Sequence, residues 1–187
     1  MMPATGKTSV SHPLRIAEVS ARSDFGLIGI TFCPGKYERF AHAGFWDRNL
    51  AIDLDLIRKW GAAAVVTLLR NNELKLLRVE GLGQEVERRG MRWFHLPIDD
   101  VSVPDKTFEE DWIIAGGELR TLLRDGAKVL VHCRGGLGRA GTIGARLLIE
   151  LGMGPVRAID EVRTARPGAI ETLEQEQYVL SCRRAER

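Results

Sequence analysis

The chain has 187 residues, enough for one compact domain with a real buried core. Its 44% hydrophobic and 28% charged content is that of an ordinary globular protein, and a net charge of +2 gives no general affinity for nucleic acid or lipid headgroups. Three scattered cysteines exclude a secreted disulfide framework, and no apolar run has signal-peptide or membrane-spanning character, which together point to the cytoplasm.

In chain order, residues 1–11 are small and polar and read as a flexible N-terminal tail, leaving 12–187 as a single domain. Gly26 to Phe32 is a short apolar run ended by Cys33-Pro34-Gly35, a strand and a turn. Asn49 to Trp60 carries Leu50, Leu54 and Ile57 at helical spacing, and Ala62 to Leu69 reads as a buried strand. Glu80 to Arg89 is expected to be helical, stopped by Gly90, and Met91 to Leu96 is a further strand. Pro97 to Lys106 is an acidic loop. Thr107 to Arg124 is a helix, with Thr107 and Glu110 spaced like a capping box and Gly116-Gly117 as a weak point. Ala127 to His132 is a continuous apolar run, as in a strand covered on both faces. Helices follow over Ala140 to Leu151, from Gly154-Pro155 to about Arg166, and from about Glu171 to Arg183. This alternation predicts an α/β fold, a central mostly parallel sheet flanked by helices on both faces.

The chemistry concentrates in His132-Cys133-Arg134-Gly135-Gly136-Leu137-Gly138-Arg139, where a buried strand hands over to a helix. Ligands of open α/β sheets bind at that edge. Glycines let successive backbone N–H groups face one point, and the next helix adds its positive end. Such a ring binds a tetrahedral oxyanion, with Arg134, Gly135, Gly136, Leu137, Gly138 and Arg139 as its candidate phosphate-binding positions. A thiolate at Cys133 would be stabilised there and could attack phosphorus. Arg139 supplies a planar fork for two phosphate oxygens, which lysine cannot imitate. His132 is expected to order the loop rather than to act as a base. Lys36, Arg39 and Arg134 are candidates for the mouth of the site. The four histidines and the cysteines show no metal-ligand spacing, so neither metal nor cofactor is expected.

The octapeptide matches the HCxxGxxR signature of the protein tyrosine and dual-specificity phosphatase superfamily. CPGK at Cys33, NNEL at Asn71, HLPIDDVSVPD at His95 and GAIETLEQEQY at Gly168 extend the resemblance over most of the chain after residue 11. The resemblance implies a protein tyrosine phosphatase-like fold and a cysteine-dependent phosphatase. Its substrate would be phosphotyrosine or phosphoserine/threonine in a protein, and its intermediate a phosphocysteine on Cys133. It places the general acid on Pro97-Ile98-Asp99-Asp100 at Asp100, with Asp99 and Asp105 as competitors, and assigns Gln175 to positioning the hydrolytic water. Cys33 and Cys182 carry no spacing signal; a disulfide with Cys133 stays open. One position departs from the family: Ala140 stands where Ser or Thr usually follows the arginine. Loss of that hydroxyl implies slow release of the phosphoryl group. The rival readings are a phosphatase of a small phosphoester and a weakly active phosphate-sensing or scaffold protein. Neither nucleic acid nor membrane is an expected partner, and the protein partner is left unassigned.

Overall fold

The structure is a computed structural model and describes residues 6–186. The elements, in chain order, are β1 (Ala17–Val19), β2 (Ile28–Phe32), β3 (Tyr37–Glu38), β4 (Trp46–Asp47), α1 (Leu50–Trp60), β5 (Ala62–Thr67), α2 (Asn71–Leu76) and α3 (Leu82–Arg88). They continue with β6 (Arg92–His95), α4 (Lys106–Arg124), β7 (Lys128–Cys133), α5 (Gly138–Glu150), α6 (Pro155–Ala165) and α7 (Leu173–Ser181).

Five strands form one sheet in the order β1-β2-β7-β5-β6, with β3 and β4 pairing separately. The pairs β2–β7, β7–β5 and β5–β6 are parallel; the edge strand β1 runs antiparallel. Residue alternation in the central strands explains the two-sided cover. Ala64, Val66, Val129 and Val131 point into a core shared with α4, α5, α6 and α7. Val65 and Leu130 point into a second core built with Leu54 and Ile57 of α1 and Val86 of α3. Each fully buried Val or Leu contributes about 1.5–3 kcal/mol by leaving water. β7 therefore sits at the centre with both faces covered, and its last residue, Cys133, lies at the carboxyl edge of the sheet.

Local chemistry sets the helix ends. Asn49 caps α1 by accepting from the Ile52 N–H, and Gly61 closes it in the left-handed region at φ 99°. The cap of α4 is Asp105, which accepts from the Phe108 N–H, in place of the expected Thr107–Glu110 box. The carboxylate of Asp105 caps the helix two residues earlier and also neutralises its positive end. α4 runs unbroken through Gly116-Gly117. α7 is shorter than expected because Thr172, paired with Gln175 in a capping box, fixes its start, and Cys182 turns extended.

The expected flexible tail is tied down over its second half. The Lys7 N–H donates to the Phe45 carbonyl and the Asp47 N–H to Lys7, so this segment runs beside β4. Ser9 exchanges hydrogen bonds with the backbone of Asn49, and Arg48 donates to the carbonyl of His12. Small polar residues find partners in this backbone, which composition does not reveal. Residues 1–5 of that segment lie outside the described residues. The short elements β1, β3, β4 and α2, of two to six residues, carry too little periodicity to be legible in the sequence.

Candidate active site

The loop from Cys133 to Arg139 joins β7 to α5, and its carbonyls reveal how it is turned. The Arg134 carbonyl accepts from the Cys33 N–H at 3.3 Å and Lys36 Nζ at 3.2 Å. Those of Gly135 and Gly136 accept from the Arg166 guanidinium at 3.2 and 3.0 Å. Leu137 accepts from the Gly141 and Ile170 N–H groups, and Gly138 from Thr142 Oγ1. In a trans peptide the next N–H points opposite to its carbonyl. The Arg134, Gly135 and Gly136 carbonyls therefore turn the next N–H groups, those of Gly135, Gly136 and Leu137, away from the groups that bind them, while the Leu137 and Gly138 carbonyls are taken up by the first turns of α5. The Gly136 N–H reaches Cys133 Sγ at 3.2 Å. Leu137 adds no side-chain cap to α5, and the first turn of that helix holds no acid to cancel its positive end.

Of the three loop glycines, Gly136 is required sterically and Gly138 is tightly surrounded. Gly136 has φ 70°, and a Cβ there would overlap the backbone of Thr31 and Phe32. At Gly138 it would overlap the Glu171 carboxylate and the Gln175 amide. Gly135 has open space around it.

Arg139 is 2% exposed and sits below the loop. Its guanidinium donates to Glu73 Oε2 at 2.8 Å and Oε1 at 2.9 Å, and to the Ile98 carbonyl at 3.0 Å. Asp100 Oδ1 lies 2.9 Å from it. Burial alone would lower the Arg139 pKa, but hydrogen bonding to Glu73 with the charges of Cys133, Glu73 and Asp100 holds it above its ordinary value. Asp100 is the one of the three candidate acids that faces Arg139. Asp99 pairs with Arg70, and Asp105 is committed to capping α4 and to Arg70.

The remaining candidates are placed around this centre. His132 is fully buried beneath the loop, and its Nε2 meets Thr67 Oγ1 at 2.8 Å, which in turn accepts from Trp93 Nε1. Burial pushes its pKa down to about 3, so the ring is neutral at neutral pH. Gln175 is fully buried behind Gly138: its Oε1 accepts from the Glu171 and Thr172 N–H groups and its Nε2 donates to the Ser102 carbonyl. Ala140 is fully buried and brings no hydroxyl to the sulfur; Thr142, two residues on, spends its own on Gly138. Arg134 turns its side chain outward to Glu38, at 2.6–2.7 Å, and Lys36 joins the same carboxylate at 2.8 Å. Burial opposes ionisation of Glu38, yet these two cations hold its carboxyl below the usual range. Lys36 is thus a buried paired group that also lines the cavity above the loop, and Arg39 lines a neighbouring groove instead. Cys33 is buried beside Cys133, where burial pushes its thiol well above the ordinary value; burial also raises Cys182, to about 11.

Above the loop lies a cavity of about 600 Å³ whose walls include Phe32, Trp46, Asp100, Arg134 and Arg166. Glu73, Glu38 and Arg166 were not singled out from sequence. Glu73 had one available signal: it follows the carboxyl end of a buried strand, the edge where ligands bind. Arg166 read only as the end of a helix.

Residues 52–179 match the family model described as "PTP-SAK: Swiss Army Knife protein, DSP-PTPase phosphatase domain". Cyclin-dependent kinase inhibitor 3 of Rattus norvegicus is 32% identical over 169 residues, covering 89% of this chain and 74% of that protein. Among solved structures, kinase-associated phosphatase with its catalytic-site cysteine replaced by serine aligns with a TM-score of 0.78 at 29% identity, over 90% of this chain and 93% of that one. The active form of Tk-PTP aligns with a TM-score of 0.63 at 30% identity, over 87% and 93%.

Proposed function

This chain belongs to the family of cysteine-dependent dual-specificity and protein tyrosine phosphatases, and on that premise we propose that it hydrolyses phosphotyrosine or phosphoserine/threonine in proteins through a phosphocysteine on Cys133. The observation that carries the reading is the loop itself. The Arg134, Gly135 and Gly136 carbonyls are bound by groups packed around the loop, the Gly136 N–H reaches the Cys133 sulfur, and Arg139 is buried beneath.

In the first step the Cys133 thiolate attacks phosphorus. The sulfur–phosphorus bond forms as the ester oxygen leaves, taking a proton from Asp100. The loop N–H groups and the Arg139 fork hold the equatorial oxygens, so catalysis is positioning plus electrostatic stabilisation. Arg139 must exchange the Asp100 carboxylate for phosphate, which frees Asp100 to serve the leaving oxygen. In the second step water attacks phosphorus, gives its proton to Asp100, and the sulfur departs as thiolate with inorganic phosphate released. His132 is assigned a supporting role, since a neutral, buried ring bonded to Thr67 is suited to hold the strand end. Gln175 supports the site by tying the Ser102 backbone to the start of α7, leaving its second amide hydrogen for water. A cavity of about 600 Å³ with aromatic walls suits a protein side chain. Three free cysteines fit a reducing cytoplasm. Among the described residues no helix is long and apolar enough to cross a membrane.

Cys133→Ser tests the covalent route: turnover of an aryl phosphate is expected to vanish while vanadate or phosphate still binds. Measurable turnover in that variant removes the phosphocysteine. Ala140 makes the second step the slow one, because the departing sulfur lacks a hydroxyl donor. Rapid mixing is expected to show a burst of phenol before a slower steady rate, and Ala140→Ser is expected to speed that steady rate several-fold. A steady rate untouched by the serine would sink this part of the reading.

A further inference from the structure

Beside the catalytic cavity lies a groove of about 290 Å³ between the β3 segment and the end of α2. Glu38 and Arg134 line both, so the two are continuous. We propose that Arg39 and Arg78 of this groove recognise acidic residues flanking the phosphorylated residue of the substrate protein. The proposal rests on the phosphoprotein reading above and adds the sequence class that the enzyme selects.

Charge comes first. The one carboxylate lining the groove, Glu38, is already bound by Lys36 and Arg134. Arg39 and Arg78 stand outside those pairs, and both are exposed. The groove therefore presents uncompensated positive charge next to a site that receives a phosphorylated side chain. Geometry comes second. Arg78 has φ 60°, a left-handed backbone that a residue with a side chain rarely adopts. Its guanidinium lies 3.7 Å from the Tyr37 ring centroid, a cation–π contact that fixes the head group over the groove wall. The Tyr37 N–H donates to the Leu77 carbonyl at 2.9 Å, so the two walls are bonded to each other. Backbone held in such a conformation is stored where surroundings over-determine it, often at ligand clamps.

The walls also expose apolar surface. Phe40 is 93% exposed and Leu76 63% exposed. An extended peptide advances about 3.3 Å per residue, so a chain leaving the catalytic cavity reaches the groove within a few residues. A segment of alternating acidic and apolar side chains fits a channel with arginine heads and apolar walls.

The test uses phosphopeptides with one phosphotyrosine and three aspartates, three alanines or three lysines on each flank, with p-nitrophenyl phosphate as reference. For the wild type, kcat/KM at low salt is expected to be about fivefold higher with aspartate than with alanine flanks, the scale of one or two exposed ion pairs. Lysine flanks are expected to fall below alanine, and the spread is expected to shrink in 0.5 M salt, where exposed charges are screened. In an Arg39→Ser/Arg78→Ser double variant, each peptide rate is divided by the variant's own p-nitrophenyl phosphate rate. The aspartate preference is then expected to disappear. Equal rates for the three peptides in the wild type overturn the groove assignment, with no variant involved. A preference that survives in the double variant overturns it too. Absent turnover of p-nitrophenyl phosphate by the wild type overturns the phosphatase reading itself, so the two failures are distinct.

Discussion

The Cys133–Arg139 loop and the segment carrying Asp100, to which the proposed mechanism gives the two halves of its first step, are built differently. Cys133 and Arg139 are 3% and 2% exposed, and every carbonyl from Arg134 to Gly138 is hydrogen-bonded. Asp100 lies on a surface segment, with its side chain 54% exposed, followed by Val101 in the left-handed region at φ 60°. That segment is fastened at a few points: Arg139 to Ile98 and Asp100, Gln175 to Ser102, and Arg70 to Asp99 and Asp105. The proposed anion cradle is therefore preorganised by the core, while Asp100, the proposed proton donor, is held from outside. Arg139 belongs to both halves, and its contact with Asp100 is the link between them.

The contrast breaks most visibly at the donor. Asp100→Asn is expected to lower kcat/KM, which reports the first step, by about 10²–10⁴ on an alkyl phosphoester, with a much smaller loss on an aryl phosphate whose leaving group needs no proton. Equal losses on both would show that Asp100 acts through Arg139 alone. Arg139→Lys attacks the cradle, and its expected cost is about 10²–10³ in kcat on both substrates, because a point charge cannot hold two oxygens.

A smaller effect isolates the outer fastening of the cradle. Arg166→Met removes the donors to the Gly135 and Gly136 carbonyls without touching the reacting atoms. About a tenfold rise in the vanadate dissociation constant is expected, the scale of one hydrogen bond at about 0.5–1.5 kcal/mol, with partial recovery in Arg166→Lys. Vanadate affinity unchanged in Arg166→Met would show that the loop holds its shape without this residue.

A separate effect is on stability and comes from His132 beneath the loop. His132 is held neutral in the fold, with a pKa lowered by burial from 6.5 to about 3. Between those values the unfolded chain binds a proton that the folded chain does not. Stability therefore falls as pH drops from about 6.5 toward 3, by at most about 1.4 kcal/mol per pH unit for this one group, and the effect is absent above that window. Urea unfolding at pH 7 and pH 4.5 is expected to show a smaller acid loss for His132→Asn than for wild type. Equal losses would mean that the ring takes up its proton without leaving the fold.

The sequence alone determined the features that are local. A buried apolar strand, a glycine-rich turn and a following helix are contiguous, so the placement of Cys133 and Arg139 at a strand-to-helix turn was legible, and so was the mostly parallel sheet implied by alternating strands and helices. The preference for Asp100 over Asp99 and Asp105 rests on a resemblance in the sequence; only the tertiary structure shows that Asp99 and Asp105 pair with Arg70 while Asp100 lies against Arg139. Glu73 and Arg166 were illegible, since a charged residue on a short segment reads as solvated. They meet the loop across 66 and 30 positions of chain, and Glu38 meets Arg134 across 96. Long-range pairs of this kind leave no periodic trace in the sequence. The sheet order brings those segments to one edge, and the cost of burying an unpaired arginine then decides which carboxylates and carbonyls must be there.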